Sequence, residues 1–242
     1  MDPRLVQEYR DLYERHWWFE ARRRIVLREA RGLLSEKGSA RILDVGCGDG
    51  LLFPHLRELG EVEGVEPETA LITERGRGRG LIHNVPFDEA FRPAGRFSLI
   101  LFLDVLEHMP VPGAALRHAR GLLEPSGRLL ITVPAFRALW TSHDELNDHL
   151  DRYTARSFHD LARGAGIRIL RHRYLFHWLF PVKLGARLAE AVLSPTPRPP
   201  RIPPRPVNQA LAALTLAEEW ALKPLRLPFG SSLLVVGSGA PP

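Results

Sequence analysis

The chain is poor in lysine, in cysteine and in long apolar runs. Its 242 residues include only three lysines and one cysteine, so no disulfide can form within the chain, which suits a reducing cytoplasm. No N-terminal segment is typical of a signal peptide, and no apolar run reaches the roughly 18 to 20 residues that a membrane-spanning helix needs. These absences predict a cytoplasmic protein that does not cross a membrane.

The positive charge of the chain is almost entirely arginine. The formal net charge is +5 and the isoelectric point is about 9.9. Such basicity is typical of proteins that bind nucleic acid or an anionic membrane surface. A bias in codon usage explains the excess of arginine more simply, and no basic segment carries interleaved aromatic residues. We therefore expect no nucleic-acid partner.

The most informative segment is residues 40–52. An apolar strand ends there in a loop, residues 46–50, with glycine at every second position, and the missing Cβ atoms let a ligand approach the backbone. Asp44 ends the strand and Asp49 lies within the loop. Carboxylates at this place repel a pyrophosphate and suit a ligand with positive charge and hydroxyls. S-adenosylmethionine (AdoMet), which carries an ammonium and a sulfonium group, has those properties.

Four blocks of the chain, taken in order, resemble the class I AdoMet-dependent methyltransferases, and in particular a bacterial subgroup similar to types 11 and 12. The first block is the glycine loop, and the others are residues 62–67, 97–109 and 122–134. They are similar to the family's second strand, which ends in an acid, to its fourth strand with the following turn, and to its fifth strand. The resemblance implies AdoMet as cofactor and a Rossmann-like fold, but says little about the acceptor.

Strands and helices alternate along the chain, which predicts a doubly wound α/β sheet with right-handed crossovers. We expect seven strands, mostly parallel and with the last one antiparallel, near residues 41–45, 62–65, 81–83, 98–102, 128–133, 167–173 and 233–236. The predicted organisation has four parts: an N-terminal helical lid segment (1–38), an AdoMet-binding core (39–173), a helical and proline-rich insertion (174–228), and the final strand with its tail (229–242).

The resemblance also implies which residues bind the cofactor. Glu66 follows the glycine loop by 16 residues, about one helix and one strand, so its carboxylate is expected beside the ribose hydroxyls. Asn84 or Asp88 is expected near the adenine amino group. Leu103 and Asp104 are expected near the methyl group or the methionine end. The full expected set is Asp44, Gly46, Cys47, Gly48, Gly50, Glu66, Pro67, Asn84, Val85, Phe87, Leu103 and Asp104.

Trp17, Trp18 and Phe19 form an aromatic cluster in the N-terminal segment, whose first 35 residues have helical periodicity. In one interpretation these rings belong to the core and pack the helix on the sheet edge. In the other, the helix is a lid that closes over the cofactor and excludes water, with Arg22 or Arg23 at the methionine carboxylate. The resemblance to the bacterial subgroup favours the lid.

The segment after the fifth strand is dense in polar residues. In an open α/β sheet, loops at the carboxyl ends of the strands line the ligand crevice, and His143 and His149 are expected there. An imidazole with a pKa near 6.5 suits the deprotonation of a hydroxyl, so the candidate catalytic bases are His149, His143 and His108. Alternatively, these side chains only shape the loop. Their spacing with Asp144 is not that of regular metal ligands, so we expect no metal.

Residues 175–193 form an apolar stretch within the insertion, and a proline run over 194–206 follows that is expected to be extended. A connection of this length is normally functional or carries its own structure. With Lys183 and Arg187 nearby, the apolar stretch is predicted to lie on an anionic membrane, to cap the substrate pocket, or to form a homodimer face. The sequence leaves these three alternatives open.

These features predict an AdoMet-dependent methyltransferase that acts on a small-molecule, glycan or lipid-linked acceptor, with O-methylation favoured. The predicted location is the cytoplasm, and peripheral contact with the inner membrane stays open. The main alternative is a non-catalytic AdoMet-binding regulatory subunit, because no single residue is obligatory for methyl transfer. An NAD-dependent oxidoreductase is a weaker alternative, because the loop has the spacing GxGxG with acids in place of GxGxxG.

Overall fold

The computed structural model describes residues 10–34, 40–77, 80–193 and 201–239. The start of the predicted lid segment and its predicted boundary with the core lie outside the described residues. The same holds for residues 194–200 of the predicted proline run. Residues 201–204 have no regular secondary structure, as expected, but the next helix begins at Arg205 and includes Pro206 in its first turn, a position where the missing N–H of proline costs no hydrogen bond.

A seven-stranded sheet forms the centre of the molecule, in the order β3-β2-β1-β4-β5-β7-β6. The first five strands pair in parallel, whereas β7 lies between β5 and β6 and is antiparallel to both. This confirms the predicted Rossmann-like, doubly wound sheet with an antiparallel last strand. The strands are β1 (Ala40–Val45), β2 (Gly60–Val65), β3 (Leu81–His83), β4 (Phe97–Leu103), β5 (Leu123–Pro134), β6 (Ile167–Leu175) and β7 (Ser232–Gly239).

Helices surround this sheet, and the N-terminal helix differs from the sequence prediction. The N-terminal helix is interrupted at His16, whose ring accepts a hydrogen bond from the Trp18 N–H and so caps a new helix. The helix after the glycine loop begins only at Phe53 and is four residues long. The helices are α1 (Trp17–Leu33), α2 (Phe53–Leu56), α3 (Glu74–Arg77), α4 (Pro112–Leu122), α5 (Ser142–Leu146), α6 (Ala155–Gly164), α7 (Leu179–Leu193) and α8 (Arg205–Leu222).

The two faces of the sheet bury separate apolar clusters. Ile100 and Phe102 of β4 point to a cluster that includes side chains of α4 and α6, whereas Leu99 and Leu101 point to a cluster with α1 and α8. Successive residues of a strand face opposite sides, so a central strand that is covered on both sides must be apolar throughout. Within the described part of the chain, no helix combines the length and apolar character that a membrane span requires.

A cluster of ion pairs joins α1 to β6 and to the end of α8. Glu29, which is 4% exposed, accepts hydrogen bonds from Arg171 at 2.5 Å, Arg173 at 3.0 Å and Lys223 at 2.9 Å. Arg173 also pairs with Glu219 of α8. Because these contacts connect residues more than 140 positions apart, they fix the N-terminal helix and the insertion against the same strand.

Candidate functional site

The carboxyl ends of the parallel strands meet at one edge of the sheet. β1 pairs with β2 on one side and with β4 on the other, so the chain reverses its winding direction at β1. Ligands of open α/β folds bind at such a switch point, outside the carboxyl ends of the strands. The predicted glycine loop follows β1 and therefore lies at this point.

All three glycines of the loop have positive φ, at +69° for Gly46, +52° for Gly48 and +65° for Gly50. This left-handed region is disfavoured for side chains with a Cβ. The Gly46 N–H donates to the carbonyl of Val65 at 2.8 Å, and a Cβ at Gly46 would lie 2.6 Å from a methyl group of Val105. Beyond Gly48, by contrast, nothing lies within 4 Å of the place that a Cβ would occupy. The loop thus presents bare backbone to open space.

Glu66, directly after β2, is fixed by the loop that it faces. The Gly48 N–H donates to one of its carboxylate oxygens and the Glu68 N–H to the other, each at 2.9 Å. Burial raises the pKa of Glu66, and these two hydrogen bonds oppose the rise. A carboxylate oxygen accepts more than one hydrogen bond, so the orientation that the backbone imposes still leaves Glu66 able to bind vicinal hydroxyls.

Asp44, at the end of β1, is a buried acid with little compensation. It is 4% exposed, and burial raises its pKa to about 7. The Arg22 guanidinium opposes this rise, whereas the Glu66 carboxylate adds to it. A carboxyl group in such a place is costly to ionise until a cation arrives, which makes Asp44 a strong candidate partner for a cationic ligand group.

Cys47 packs between the loop and β2. A Cβ at Gly64 of β2 would overlap its sulfur and the ring of Phe53, so the thiol occupies the space that this glycine leaves. Burial, followed by the charge of Asp44, raises the pKa of the Cys47 thiol far above its usual range. A thiol that does not ionise is a poor nucleophile, so the side chain of Cys47 fills space beneath the loop.

At the expected adenine end, Asn84 joins two strands. Its amide N–H groups donate to the carbonyls of Glu66 at 2.8 Å and Pro67 at 3.2 Å, and its oxygen accepts from the Thr69 hydroxyl at 2.7 Å. The side chain therefore holds the acidic turn after β2 in place. Its three polar contacts are all within the protein, so it positions Glu66 and Pro67 more directly than it faces a base.

The other three residues expected near adenine divide between surface and core. Val85 is 39% exposed and lines, with Pro86 and Asp88, a cavity of about 400 Å³. Asp88 accepts the Ala90 N–H at 2.8 Å. Phe87 points away from this cavity into the core, where its ring packs against Phe102 at a centroid distance of 5.5 Å. The structure thus leaves Val85 and Asp88 accessible to a base.

Asp104 follows β4 in an unusual backbone conformation. Its φ is +57°, which is uncommon for a residue with a side chain and is often found at functional sites. Its N–H donates to the carbonyl of Thr132 at 2.9 Å, and its carboxylate pairs with Arg22 at 2.6 Å. Leu103, one residue earlier, is only partly buried and packs beside the cluster that contains α1.

The N-terminal helix has features of both interpretations of its aromatic cluster. Trp17 belongs to the core: it is 8% exposed, its N–H donates to Asn208 of α8 at 2.9 Å, and its ring lies 5.4 Å from that of Trp178. One turn later, Arg22 extends over the sheet edge to Asp104 and lies 5.5 Å from the ring of Trp18. The helix is thus anchored as core and reaches over the site with Arg22.

Arg22 also donates to the Thr132 hydroxyl at 3.2 Å, so it contacts the ends of both β4 and β5. Of the two arginines expected at the methionine carboxylate, Arg22 is therefore the one that lies at the site edge. Arg23 is partly exposed on α1. A second arginine, Arg10, pairs with Asp49 of the glycine loop at 2.7 Å, which ties the segment before α1 to the same edge.

After β5, a buried carboxylate organises the polar segment. Asp144 is fully buried and receives both prongs of the Arg152 guanidinium, at 2.8 and 2.9 Å. It also accepts the Thr141 N–H at 2.9 Å. Burial alone would raise its pKa, but the hydrogen bonds from His149 and Arg152 hold the pKa of Asp144 well below its usual range. Asp144 is therefore ionised.

His149 is oriented by this carboxylate. Its Nδ1 lies 2.7 Å from Asp144, which favours the tautomer with the proton on Nδ1 and leaves Nε2 as a proton acceptor. The ring of His108 lies edge-on at 4.8 Å. His143 is exposed on α5, and its ring is paired with Asn147 at 3.2 Å. Of the three predicted histidines, the structure brings His108 and His149 together.

Glu107 completes this group and was not predicted from the sequence. It is fully buried, and its two carboxyl oxygens have no hydrogen-bond partner among the described residues. Burial, and then the charge of Asp104, raises its pKa well above the ordinary value. One polar atom each of Glu107, His108 and His149 lies within 4.8 Å of the others. The expectation that no metal binds here stays a prediction.

Two features of the sequence point to Glu107 and Lys183, which have no predicted role at the site. Glu107 is an acid within the turn after β4, and acids are almost never fully buried unless they are paired. Lys183 is one of three lysines in the chain and lies in an otherwise apolar stretch. Burial, and then the charge of Arg152, lowers the pKa of Lys183 to about 8.

Comparison with known sequences gives a consistent result. A sequence model of the family described as "Methyltransferase domain" matches residues 14–172, more than half of the chain. The ubiquinone biosynthesis O-methyltransferase of Vibrio campbellii is 28% identical over 152 residues, which cover 55% of this chain and 63% of that protein. The protein of the same name from Xanthomonas axonopodis pv. citri is 34% identical over 107 residues, covering 40% and 44%. The chain spans less than two thirds of the length of these relatives.

Solved structures share the fold of this chain. A TehB-like SAM-dependent methyltransferase from Corynebacterium glutamicum superposes with a TM-score of 0.57 over 98% of this chain and 96% of that one, at 17% identity. At so low an identity the similarity concerns the fold alone. It extends over the N-terminal helix and the insertion as well as the sheet, because almost the whole chain is covered.

Proposed function

The chain belongs to the methyltransferase domain family, and we propose that it transfers the methyl group of AdoMet to an oxygen atom of a small-molecule, glycan or lipid-linked acceptor. The observation that carries this proposal is the pairing of an open glycine loop with two buried acids, Asp44 and Glu66, at the switch point of the sheet. Such a pocket fits a ligand with vicinal hydroxyls at one end and a positive charge at the other.

The described residues fit AdoMet group by group. Glu66, oriented by the Gly48 and Glu68 N–H groups, accepts from the ribose hydroxyls. Asp44 pairs with the ammonium group, whose charge offsets the cost of ionising this buried acid. The open space beyond Gly48 admits the cofactor close to the backbone. Arg22 lies where the methionine carboxylate is expected, and its guanidinium has five N–H donors, so it binds that group while it keeps its pair with Asp104.

The chemistry asks mainly for positioning. Bound AdoMet supplies an activated methyl group, and the protein must hold the acceptor oxygen in line with it. Alignment of this kind contributes roughly 7 to 11 kcal/mol to lowering a barrier. His149 removes the proton from the acceptor hydroxyl through Nε2, while Asp144 keeps the ring oriented and stabilises its charged form.

Oxygen as the acceptor atom is supported by the relatives, because the proteins with the highest sequence similarity described above are named O-methyltransferases. The resemblance to the bacterial subgroup favours a glycan or a lipid-linked molecule over nucleic acid or protein. A histidine positioned by a buried carboxylate agrees with this, since a hydroxyl requires a base and an unprotonated amine does not.

We further infer that α7 contacts an anionic membrane surface. Val182, Leu184 and Leu188 are 54%, 36% and 62% exposed. The exposed Arg187 lies between them in the chain, at the border with the face of α7 that contacts Trp140. Apolar side chains with interspersed basic residues on one helix are typical of interfacial helices. Co-sedimentation with vesicles that contain anionic lipid should pellet the protein. Dimerisation without pelleting would instead assign these side chains to a homodimer face.

The first test is isothermal titration of the protein with AdoMet and S-adenosylhomocysteine, with NADH as a control. We expect micromolar binding of both sulfur ligands and none of NADH. Asp44→Ala should weaken AdoMet by about 100-fold, since a hydrogen bond to a charged group contributes about 1.5 to 3 kcal/mol. Asp160→Ala removes an exposed acid of α6 and should leave binding unchanged.

Other results of this titration decide between the alternatives. If neither sulfur ligand binds, the proposal is contradicted, and binding of NADH would favour the oxidoreductase. Binding without turnover on any hydroxyl acceptor would favour the regulatory subunit.

A further inference from the structure

Lys183 places a positive charge at the acceptor side of the site, and we propose that it binds an anionic group, a carboxylate or a phosphate, on the acceptor. This inference rests on the proposed methyl transfer and narrows its substrate class to anions. The functional residues discussed so far lie in or near the sheet edge. Lys183, in contrast, comes from α7 in the insertion, which gives this insertion a role in recognising the acceptor.

The orientation of Lys183 follows from the face of α7 to which it belongs. Residues at positions i, i+4 and i+7 share one side of a helix, and in α7 these are Lys183, Arg187 and Glu190. The Arg187 guanidinium donates to the carbonyl of Trp140. Glu190 accepts from the N–H and the hydroxyl of Ser142, both at 3.0 Å. This face of α7 therefore lies against the segment after β5.

The helical turn that precedes Lys183 also contacts the segment after β5. The ring of Phe180 packs edge-on against Phe136, directly after β5, at a centroid distance of 5.6 Å. Lys183 thus lies between two anchored turns of α7. The segment that this face of α7 contacts also carries Asp144 and Arg152, whose charges act on the Lys183 ammonium together with that of Asp104.

On the acceptor side of the site, arginines balance the charges of Asp104 and Asp144, whereas no opposite charge balances that of Lys183. Asp104 is paired with Arg22, and Asp144 with Arg152. Burial, and then the charge of Asp104, raises the pKa of Glu107 well above the ordinary value, which disfavours its charged form. Lys183 has no ion pair or hydrogen bond with any described residue. The acceptor side therefore carries one positive charge in excess.

The environment of Lys183 makes this excess charge effective. The side chain is partly buried, and its pKa of about 8 keeps it mostly protonated at pH 7. Partial burial strengthens an interaction with an anion, because the effective dielectric constant is far below that of water. An ammonium that is partly desolvated and unpaired gains most from an oxyanion ligand.

The scarcity of lysine allows a direct test by NMR of the protein labelled with ¹³C and ¹⁵N at lysine. Only three lysines contribute signals, and Lys183→Arg assigns the one of interest. The protein is saturated with S-adenosylhomocysteine and titrated with 3,4-dihydroxybenzoate, with 4-hydroxyphenyl phosphate, and with methyl 3,4-dihydroxybenzoate as the neutral control. We expect the Lys183 signal to shift saturably with at least one anion and not with the ester.

Calorimetry on variants measures the affinity of the same probes. Lys183→Met should weaken the affinity for the anion that binds by about 10-fold or more, since a charged hydrogen bond is lost. The affinity for the ester should not change. Lys183→Arg should restore most of the affinity, which a purely structural role would not require. Lys223→Met removes the same charge at a distant site, where Glu29 keeps two arginines, and should have no effect on either probe.

The preferred anion distinguishes a carboxylate from a phosphate acceptor. The inference is overturned if the Lys183 signal does not respond to either anion, or responds equally to the ester, or if Lys183→Met binds the anions like the unchanged protein. Binding of the sulfur ligands is measured separately by calorimetry, so failure of this inference is distinguishable from failure of the proposed function. If the sulfur ligands fail to bind at all, the proposed function fails first.

Discussion

Two buried aspartates at the same sheet edge have opposite electrostatic character. Asp44, beside the glycine loop, is 4% exposed, and burial raises its pKa to about 7. Asp144, after β5, is fully buried, yet hydrogen bonds from His149 and Arg152 outweigh burial and hold its pKa well below the usual range. The difference lies in the partners, because Asp144 has its cation within the protein and Asp44 has only the distant influence of Arg22.

This contrast divides the site into two halves. The cofactor half contains a buried acid without a cation partner in the protein, whereas the acceptor half contains a buried acid that is already paired. In the cofactor half, the charge of ionised Asp44 is compensated only when a cationic ligand binds. Ligand binding and the ionisation of Asp44 are therefore coupled. On the acceptor half, the ionised Asp144 is fixed before any ligand arrives, and it holds His149 in one orientation. A preorganised group of this kind costs no rearrangement during the reaction.

The largest expected effect is a loss of kcat from a substitution in the acceptor half alone. His149→Ala removes the proposed base and should lower kcat by about 100-fold to 10,000-fold, while AdoMet affinity by calorimetry stays within about 2-fold. The measurement uses an anionic hydroxyl acceptor on which the unchanged protein turns over. His159→Ala removes a histidine in the middle of α6 whose ring contacts His172 of β6, and it is the matched control. A His149→Ala protein with full kcat would assign the base elsewhere.

The next effect is a loss of folding stability when Asp144 of the acceptor half loses its partner. Arg152→Met leaves Asp144 as a buried charge without its main partner, so we expect a loss of about 3 to 5 kcal/mol in the free energy of unfolding, measured in urea. Arg137→Met removes an exposed arginine that lies 3.7 Å from Asp151 and should cost less than about 1 kcal/mol. Equal losses in both variants would contradict the central role of the Asp144 pair.

The same division explains how much of the site the sequence reveals. The cofactor half is built from adjacent residues: the loop glycines, Asp44 and Glu66 lie within short motifs, and their backbone geometry follows from local chemistry. The mostly parallel, doubly wound sheet follows in the same way, from the alternation of strands and helices. Phe87 shows the limit of this reasoning, because its place in a motif suggested a ligand contact and its ring lies in the core.

The acceptor half depends on distant residues and is harder to predict. The sequence suggested His149 as a base, but not that Asp144 orients it while Arg152 holds Asp144. Glu107 gains its significance only from complete burial. Lys183 reaches the site because α7 folds back over the segment after β5. No periodicity within a single element encodes that arrangement.

A third, pH-dependent effect distinguishes the two aspartates directly. The raised pKa of Asp44 stabilises the ligand-free protein below the ordinary value of 3.8, and this contribution is lost as the pH rises to about 7. Asp44→Asn does not ionise, so relative to the unchanged protein it should gain stability between pH 4 and pH 8, by up to about 4 kcal/mol. Urea unfolding at the two pH values measures the gain.

The control for this comparison is an acid with the opposite shift. Asp144→Asn should lose stability at pH 8 relative to the unchanged protein, because a stabilising carboxylate is removed. If both variants respond to pH in the same direction, the contrast between the two halves does not hold. AdoMet should also reduce the gain of Asp44→Asn, because its binding requires the ionised acid.

The smallest expected effect comes from an acid whose partners are more exposed. Glu29 is buried, but two of its three partners, Arg171 and Lys223, have side chains that are 50% and 44% exposed. Burial would raise its pKa, yet the contacts with Lys223 and Arg173 lower it. Its stabilising contribution is therefore present above pH 4.5, its ordinary value, and is lost as the pH falls through the lowered pKa.

Glu29→Gln should accordingly cost about 1 to 2 kcal/mol at pH 7 and progressively less below pH 4, as measured by urea unfolding. Raising the salt concentration should reduce this cost, because solvent screens the exposed partners, whereas the loss in Arg152→Met should be nearly independent of salt. A cost for Glu29→Gln that equals the loss in Arg152→Met, and is as insensitive to salt, would mean that burial of the acid alone sets the strength of these pairs. The exposure of the cation would then have no part in it.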